Sequence, residues 1–103
     1  MPEYFLQGST FRLIDKLDTS NKPSAEEYML AVVYEEDYVF QIICITGYHA
    51  GSLCGYVHKD QQAVSHRVRG VSQSHLLKEV QRNFMFVEGS FEIVRARLAE
   101  PLI

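Results

Sequence analysis

Two apolar runs separated by three consecutive acids constrain this chain more than any other feature. Tyr28 to Tyr34 (YMLAVVY) and Tyr38 to Thr46 (YVFQIICIT) are rich in β-branched and aromatic residues, with Glu35-Glu36-Asp37 between them. Branched and aromatic side chains pack well on a pleated backbone, so both runs predict strands, over residues 27–34 and 38–46. A short charged link between two such runs predicts an antiparallel hairpin with the acids at its tip. The second run is apolar on both faces. That pattern predicts a central strand, covered by a helix on one side and by the strands of a curled sheet on the other.

The second run stops at Gly47-Tyr48-His49-Ala50-Gly51. Glycine tolerates positive φ and close backbone approach, which is a sufficient structural cause for a bend there. A rigid glycine-bracketed corner would also hold Tyr48 and His49 outward as contact residues. Around this hairpin, alternation predicts strands over 10–17, with Phe11, Leu13 and Leu17 inward, and over 52–58. Asp18 to Ser24 reads as a turn-rich loop, 59–62 as a turn and 63–69 as a weaker strand or loop. Residues 73–84 (QSHLLKEVQRNF) place Leu76, Leu77, Val80 and Phe84 on one face and Lys78, Glu79 and Arg82 on the other, an amphipathic helix capped by Ser72 or Ser74. Residues 91–98 read as a final strand with Val94, Ala96 and Leu98 inward, and a helix there is the rival. The expected architecture is a single α+β domain over residues 1–103. It has a strongly curved, mainly antiparallel sheet of about five strands, curved as far as a barrel-like form, with one packed helix.

The net charge of −3 hides an asymmetry. Residues 1–50 hold eight acids against three bases, and residues 51–103 hold seven bases against five acids. Five of the eight N-terminal acids lie in the clusters Glu26-Glu27 and Glu35-Glu36-Asp37, which flank one apolar segment. Such a half disfavours direct nucleic-acid binding and suits a basic protein partner. No apolar run approaches the roughly 20 residues that a membrane-spanning helix needs, so no membrane partner is expected. No secretory leader pattern opens the sequence, which predicts reduced thiols at Cys44 and Cys54 and a cytoplasmic location.

Chemistry-bearing residues are present without a motif. Cys44, Cys54, His58 and His66 lack the close paired spacing of structural zinc sites, so neither a metal nor another cofactor is expected. A cysteine–histidine hydrolase has no local signature here, and Cys44 in an apolar strand would be inert. His49 paired with His58 or His66 would serve acid–base catalysis only if the fold brought them together. Arg67, Arg69, Arg95 and Arg97 offer a small basic face without the aromatic interleaving of RNA-binding modules. A small histidine-dependent enzyme or a nucleic-acid-binding protein is therefore the alternative reading.

The stretch VFQIICITGYHAGSLCGYV, Val39 to Val57, resembles small bacterial immunity proteins, the antidotes encoded beside polymorphic or contact-dependent growth inhibition toxins. Its specific part is the corner ICITGYHAG, Ile43 to Gly51. Leu76 to Val94 (LLKEVQRNFMFVEGSFEIV) is similar to the family's order of helix, Asn-aromatic pair and final strand. It departs from the family in lacking tryptophan, of which the chain has none. The resemblance implies a non-enzymatic toxin inhibitor, working by protein–protein interaction with one cognate toxin domain, in many cases a nuclease, over or beside its active site. A nuclease site must attract phosphate and is basic, so carboxylates and aromatics are apt ligands for it. The expected contacts are Glu35, Glu36, Asp37, Tyr38, Tyr48, His49, Glu26 and Glu27.

Overall fold

The two apolar runs form the expected hairpin, β3 (Glu26–Val32) and β4 (Tyr38–Cys44) in the element order of the chain. The structure is a computed structural model and describes residues 3–17 and 21–99; residues 18–20 of the expected loop lie outside the described residues. Before the hairpin come β1 (Tyr4–Phe5) and β2 (Thr10–Leu13); after it come β5 (Leu53–His58), α1 (Gln61–Ser65), α2 (Gln73–Asn83), β6 (Glu92–Arg95) and β7 (Leu98–Ala99). The main sheet has five strands in the order β5-β4-β3-β2-β6, and all its pairings are antiparallel. β1 and β7 form a separate two-stranded pair.

Alternation sorts the hairpin from Phe40 on, with an irregularity between Tyr38 and Phe40 where Val39 is buried as well. Tyr28 and Leu30 on β3, with Phe40, Ile42 and Cys44 on β4, face a core completed by Phe11, Leu13 and Val57 and closed by Leu76 and Val80 of α2. The opposite face is half open. Cross-strand pairing places Gln41 beside Tyr56 and Ile43 beside Leu53, with Tyr56 and Leu53 37% and 49% exposed. β4 is therefore not the doubly covered central strand expected from its composition. β3 is the middle strand, and β4 lies next to the edge.

The sheet neither closes nor curls strongly, so the strongly curved, barrel-like form is corrected to an open sheet with β5 and β6 at its two edges. Polar side chains of α2 satisfy the outer rim of β5 in place of a further strand. Glu79 Oε1 accepts from the His58 N–H at 2.5 Å, Asn83 Nδ2 donates to the Tyr56 carbonyl at 3.0 Å, and His75 Nε2 lies 2.8 Å from the His58 carbonyl. A helix laid along an edge strand removes the template for unwanted pairing. Gly55 permits this approach, because a Cβ there would stand 2.6 Å from Asn83 Cγ.

Four further expectations are corrected. Glu79, assigned to the polar face of the helix, is 1% exposed, while Leu77 is 37% exposed. Leu17, expected inward, is 75% exposed in a turn after β2. In the tail, Ile93 and Phe91 pack on the core and Val94 and Leu98 are exposed, because β6 pairs Phe11 with Ile93. A one-residue change of phase moves every side chain to the other face. Last, there are two helices, since residues 61–65 form α1. Asp60 caps its start by accepting from the Gln62 N–H at 3.0 Å, and bonds from Arg67 N to Val64 O and Val68 N to Ala63 O, both 2.9 Å, end it. Asp60 also accepts from the Ser72 N–H at 2.9 Å, so one carboxylate joins the starts of both helices. Burial pushes its carboxyl up, and the hydrogen bonds from Ser72 and Gln62 outweigh that and hold it below the ordinary aspartate range. No described helix is long and apolar enough to cross a membrane.

Candidate functional site

The tip of the β3–β4 hairpin spans residues 33–37, and Tyr34, Glu35, Glu36 and Asp37 are all exposed. The backbone of this loop is tied down at several points. Arg69 Nη2 donates to the Val33 carbonyl at 2.6 Å, its guanidinium lies 5.5 Å from the centroid of the Tyr34 ring, and the Lys59 N–H donates to the Asp37 carbonyl at 3.1 Å. Gln41 Nε2 adds a bond to the Val32 carbonyl at 3.0 Å. Among the described residues, none of the three carboxylates forms an ion pair. The loop thus presents three solvated charges on a fixed backbone, which limits the ordering cost of engaging them.

Tyr38 starts β4 beside this tip. Its ring stacks on Tyr56 at 5.0 Å and lies 4.8 Å from the His58 ring, forming a half-exposed aromatic stripe on the open sheet face. A groove of about 280 Å³ runs between tip and stripe, lined by Glu36, Asp37, Tyr38, His58, Lys59 and Gln61. His58 Nδ1 lies 2.8 Å from Glu79 Oε1, so a buried carboxylate orients this imidazole. Neither Glu79 nor His75 was legible as part of this arrangement. The signal available was Gly55, which marks a strand over which something packs closely.

The other expected contacts lie elsewhere. Tyr48 is 98% exposed in the turn after β4, with His49 edge-on to it at 5.4 Å. Gly47, at φ 71°, allows the bend, and the Gly51 N–H bonds back to the Cys44 carbonyl at 2.7 Å. Glu26 is engaged at this corner, where Thr46 Oγ1 donates to its carboxylate at 2.6 Å and accepts from the Glu27 N–H at 2.8 Å. β4 is seven residues long; at roughly 3.3 Å per residue this corner and the acidic tip stand about 20 Å apart. The eight candidates therefore form two groups, Glu35, Glu36, Asp37 and Tyr38 at one end and Glu26, Glu27, Tyr48 and His49 at the other.

The histidine pairs do not form around His49. It lies at the corner, one strand length from His58, while His66 Nδ1 contacts the Gln62 carbonyl at 2.8 Å and the Tyr4 hydroxyl at 3.3 Å. A concavity of about 360 Å³ at the corner gathers His49 with both cysteines, which are free thiols. Burial, and then the neighbouring Cys44, push the Cys54 thiol up, which disfavours the thiolate that nucleophilic chemistry needs. Among the described residues no group of three or more His, Cys, Asp or Glu is placed to hold a metal. Compared with protein-family models, curated proteins and solved structures, the chain matches none.

Proposed function

We propose that this protein is a non-enzymatic, cytoplasmic immunity protein that binds a basic toxin domain, of the nuclease type, with the acidic hairpin tip and the aromatic stripe beside it. The observation that carries the reading is the tip itself: three exposed carboxylates, without an ion pair among the described residues, on a backbone held by Arg69 and Lys59. Carboxylates fixed in this way complement a surface built to attract phosphate, raise the rate of encounter and fix the register of docking. Tyr38 and Tyr56 supply rigid amphipathic area next to the charges, the kind of anchor that slows dissociation. The resemblance of Ile43 to Gly51 to toxin antidotes points the same way. The test is binding to the C-terminal domain of a secreted protein encoded beside this one. Nanomolar binding that blocks the activity of that domain supports the proposal, and no binding removes it.

One observation favours a second reading, a histidine-dependent enzyme. His58 is oriented through Nδ1 by buried Glu79 and borders the groove at Tyr38, an arrangement that a general base also requires. Turnover of an RNA or ester substrate, lost in His58→Ala, would favour this reading over inhibition by binding.

A further inference from the structure

On the other side of Lys59 from the acidic tip, a second pocket of about 250 Å³ brings Lys59, Arg67 and Arg69 together. Among the described residues no carboxylate forms an ion pair with any of the three. Asp60 also borders the pocket, but it is 7% exposed and its oxygens accept from the N–H groups of Gln62 and Ser72. Three cationic residues thus border one concavity, with no counter-ion in contact among the described residues.

Arg67 supplies an independent observation. It follows the last turn of α1 with φ 59°, the one described residue other than glycine with positive φ. The bonds from Arg67 N to Val64 O and from Val68 N to Ala63 O are those of the helix ending in which glycine normally occupies this position. Any side chain costs more than glycine at this φ, and residues held in such conformations concentrate at functional sites. The wall beside the cations is apolar, formed by Val39, Val64 and Val68, and Val64 is 49% exposed. Cations on one side and an exposed apolar wall on the other suit an anion that carries an apolar body.

We infer that this pocket binds a small organic phosphate, its phosphate held by Lys59, Arg67 and Arg69 and its apolar part laid against Val64 and Val68. Arg69 borders the pocket while its Nη2 donates to the Val33 carbonyl and its guanidinium lies 5.5 Å from the Tyr34 ring centroid, so the phosphate takes its remaining N–H groups.

The test is titration of the full chain with phenyl phosphate, followed by amide chemical shifts. Saturable shifts grouped at Val39, Val64 and residues 67–70, with weaker binding of inorganic phosphate, are expected. Arg67→Gly should raise the melting temperature by about 4 °C, through relief of strain, yet weaken phenyl phosphate binding about tenfold. Arg69→Gln should weaken binding as well. The inference is overturned by non-saturable shifts at millimolar phenyl phosphate. It is equally overturned by unchanged affinity in Arg67→Gly, or by equal binding of phenyl phosphate and phenol, which would make the pocket merely apolar.

Discussion

Glu79 is a buried acid that the fold uses as an acceptor, and two substitutions separate that role from its charge. Its Oε1 takes the His58 N–H at 2.5 Å and contacts His58 Nδ1 at 2.8 Å, while Oε2 is buried without a hydrogen-bond partner among the described residues, with Arg82 Nε 3.7 Å away. Glu79→Leu keeps the bulk and removes the acceptor. It strands an edge-strand N–H, at about 1–3 kcal/mol, and loses the imidazole bond, at roughly 1 kcal/mol more. A loss of about 2–4 kcal/mol follows, which lowers the melting temperature of a domain this size by roughly 10 °C or more. Glu79→Gln retains an acceptor oxygen and replaces the oxygen that has no hydrogen bond and only Arg82 Nε at 3.7 Å, so it should cost within about 1 kcal/mol. Urea unfolding followed by circular dichroism measures both, and hydrogen exchange at the His58 amide locates the effect. If the two variants cost the same, or if the His58 amide stays protected in Glu79→Leu, the acceptor argument is wrong.

Gly55→Ala should cost about 1–3 kcal/mol, because the new Cβ meets Asn83 and pushes α2 off the edge strand; in a double-mutant cycle, Asn83→Ala should recover part of that loss. Asp60→Asn should cost about 1–2 kcal/mol near neutral pH by weakening the caps of both helices. The folded carboxyl lies below its unfolded value of about 3.9. The contribution of Asp60 is therefore present above that pH and fades as pH falls through the lowered folded value. The stability difference between wild type and Asp60→Asn, followed by unfolding from pH 7 to pH 2, should shrink in that window.

The hairpin and α2 were legible in the sequence because their signals are local. Residues 27–34 and 38–46 are dense in strand formers, and residues 73–84 repeat with helical period. What the sequence concealed depends on distant partners. β1 and β7 are two residues each and are held by contacts such as Leu6 N to Arg97 O and Phe5 to Val71, which no local pattern announces. α1 is too short to show periodicity and exists through Asp60 and its terminal bonds. Glu79 flanks the apolar stripe, three residues after Leu76, but a carboxylate there reads as solvent-facing by type, and the unpaired rim of β5 explains its burial. The expected contact residues were identifiable by type, but their division between two ends follows from the length of β4.

The measurement that bears most directly on the proposed function sets binding against stability at the acidic tip. The triple change Glu35→Gln, Glu36→Gln, Asp37→Asn alters exposed side chains that make no ion pair with described residues. Its effect on folding should stay within about 0.5 kcal/mol. Carboxylates desolvated against a basic partner contribute more, on the order of 2 kcal/mol or above when lost, which is about thirtyfold or more in Kd. An unchanged melting temperature, a Kd for the neighbouring toxin domain weakened by at least that factor, and a shallower dependence on salt are expected. An unchanged Kd with unchanged salt dependence would contradict the proposal and move the interface to the Tyr48-His49 corner.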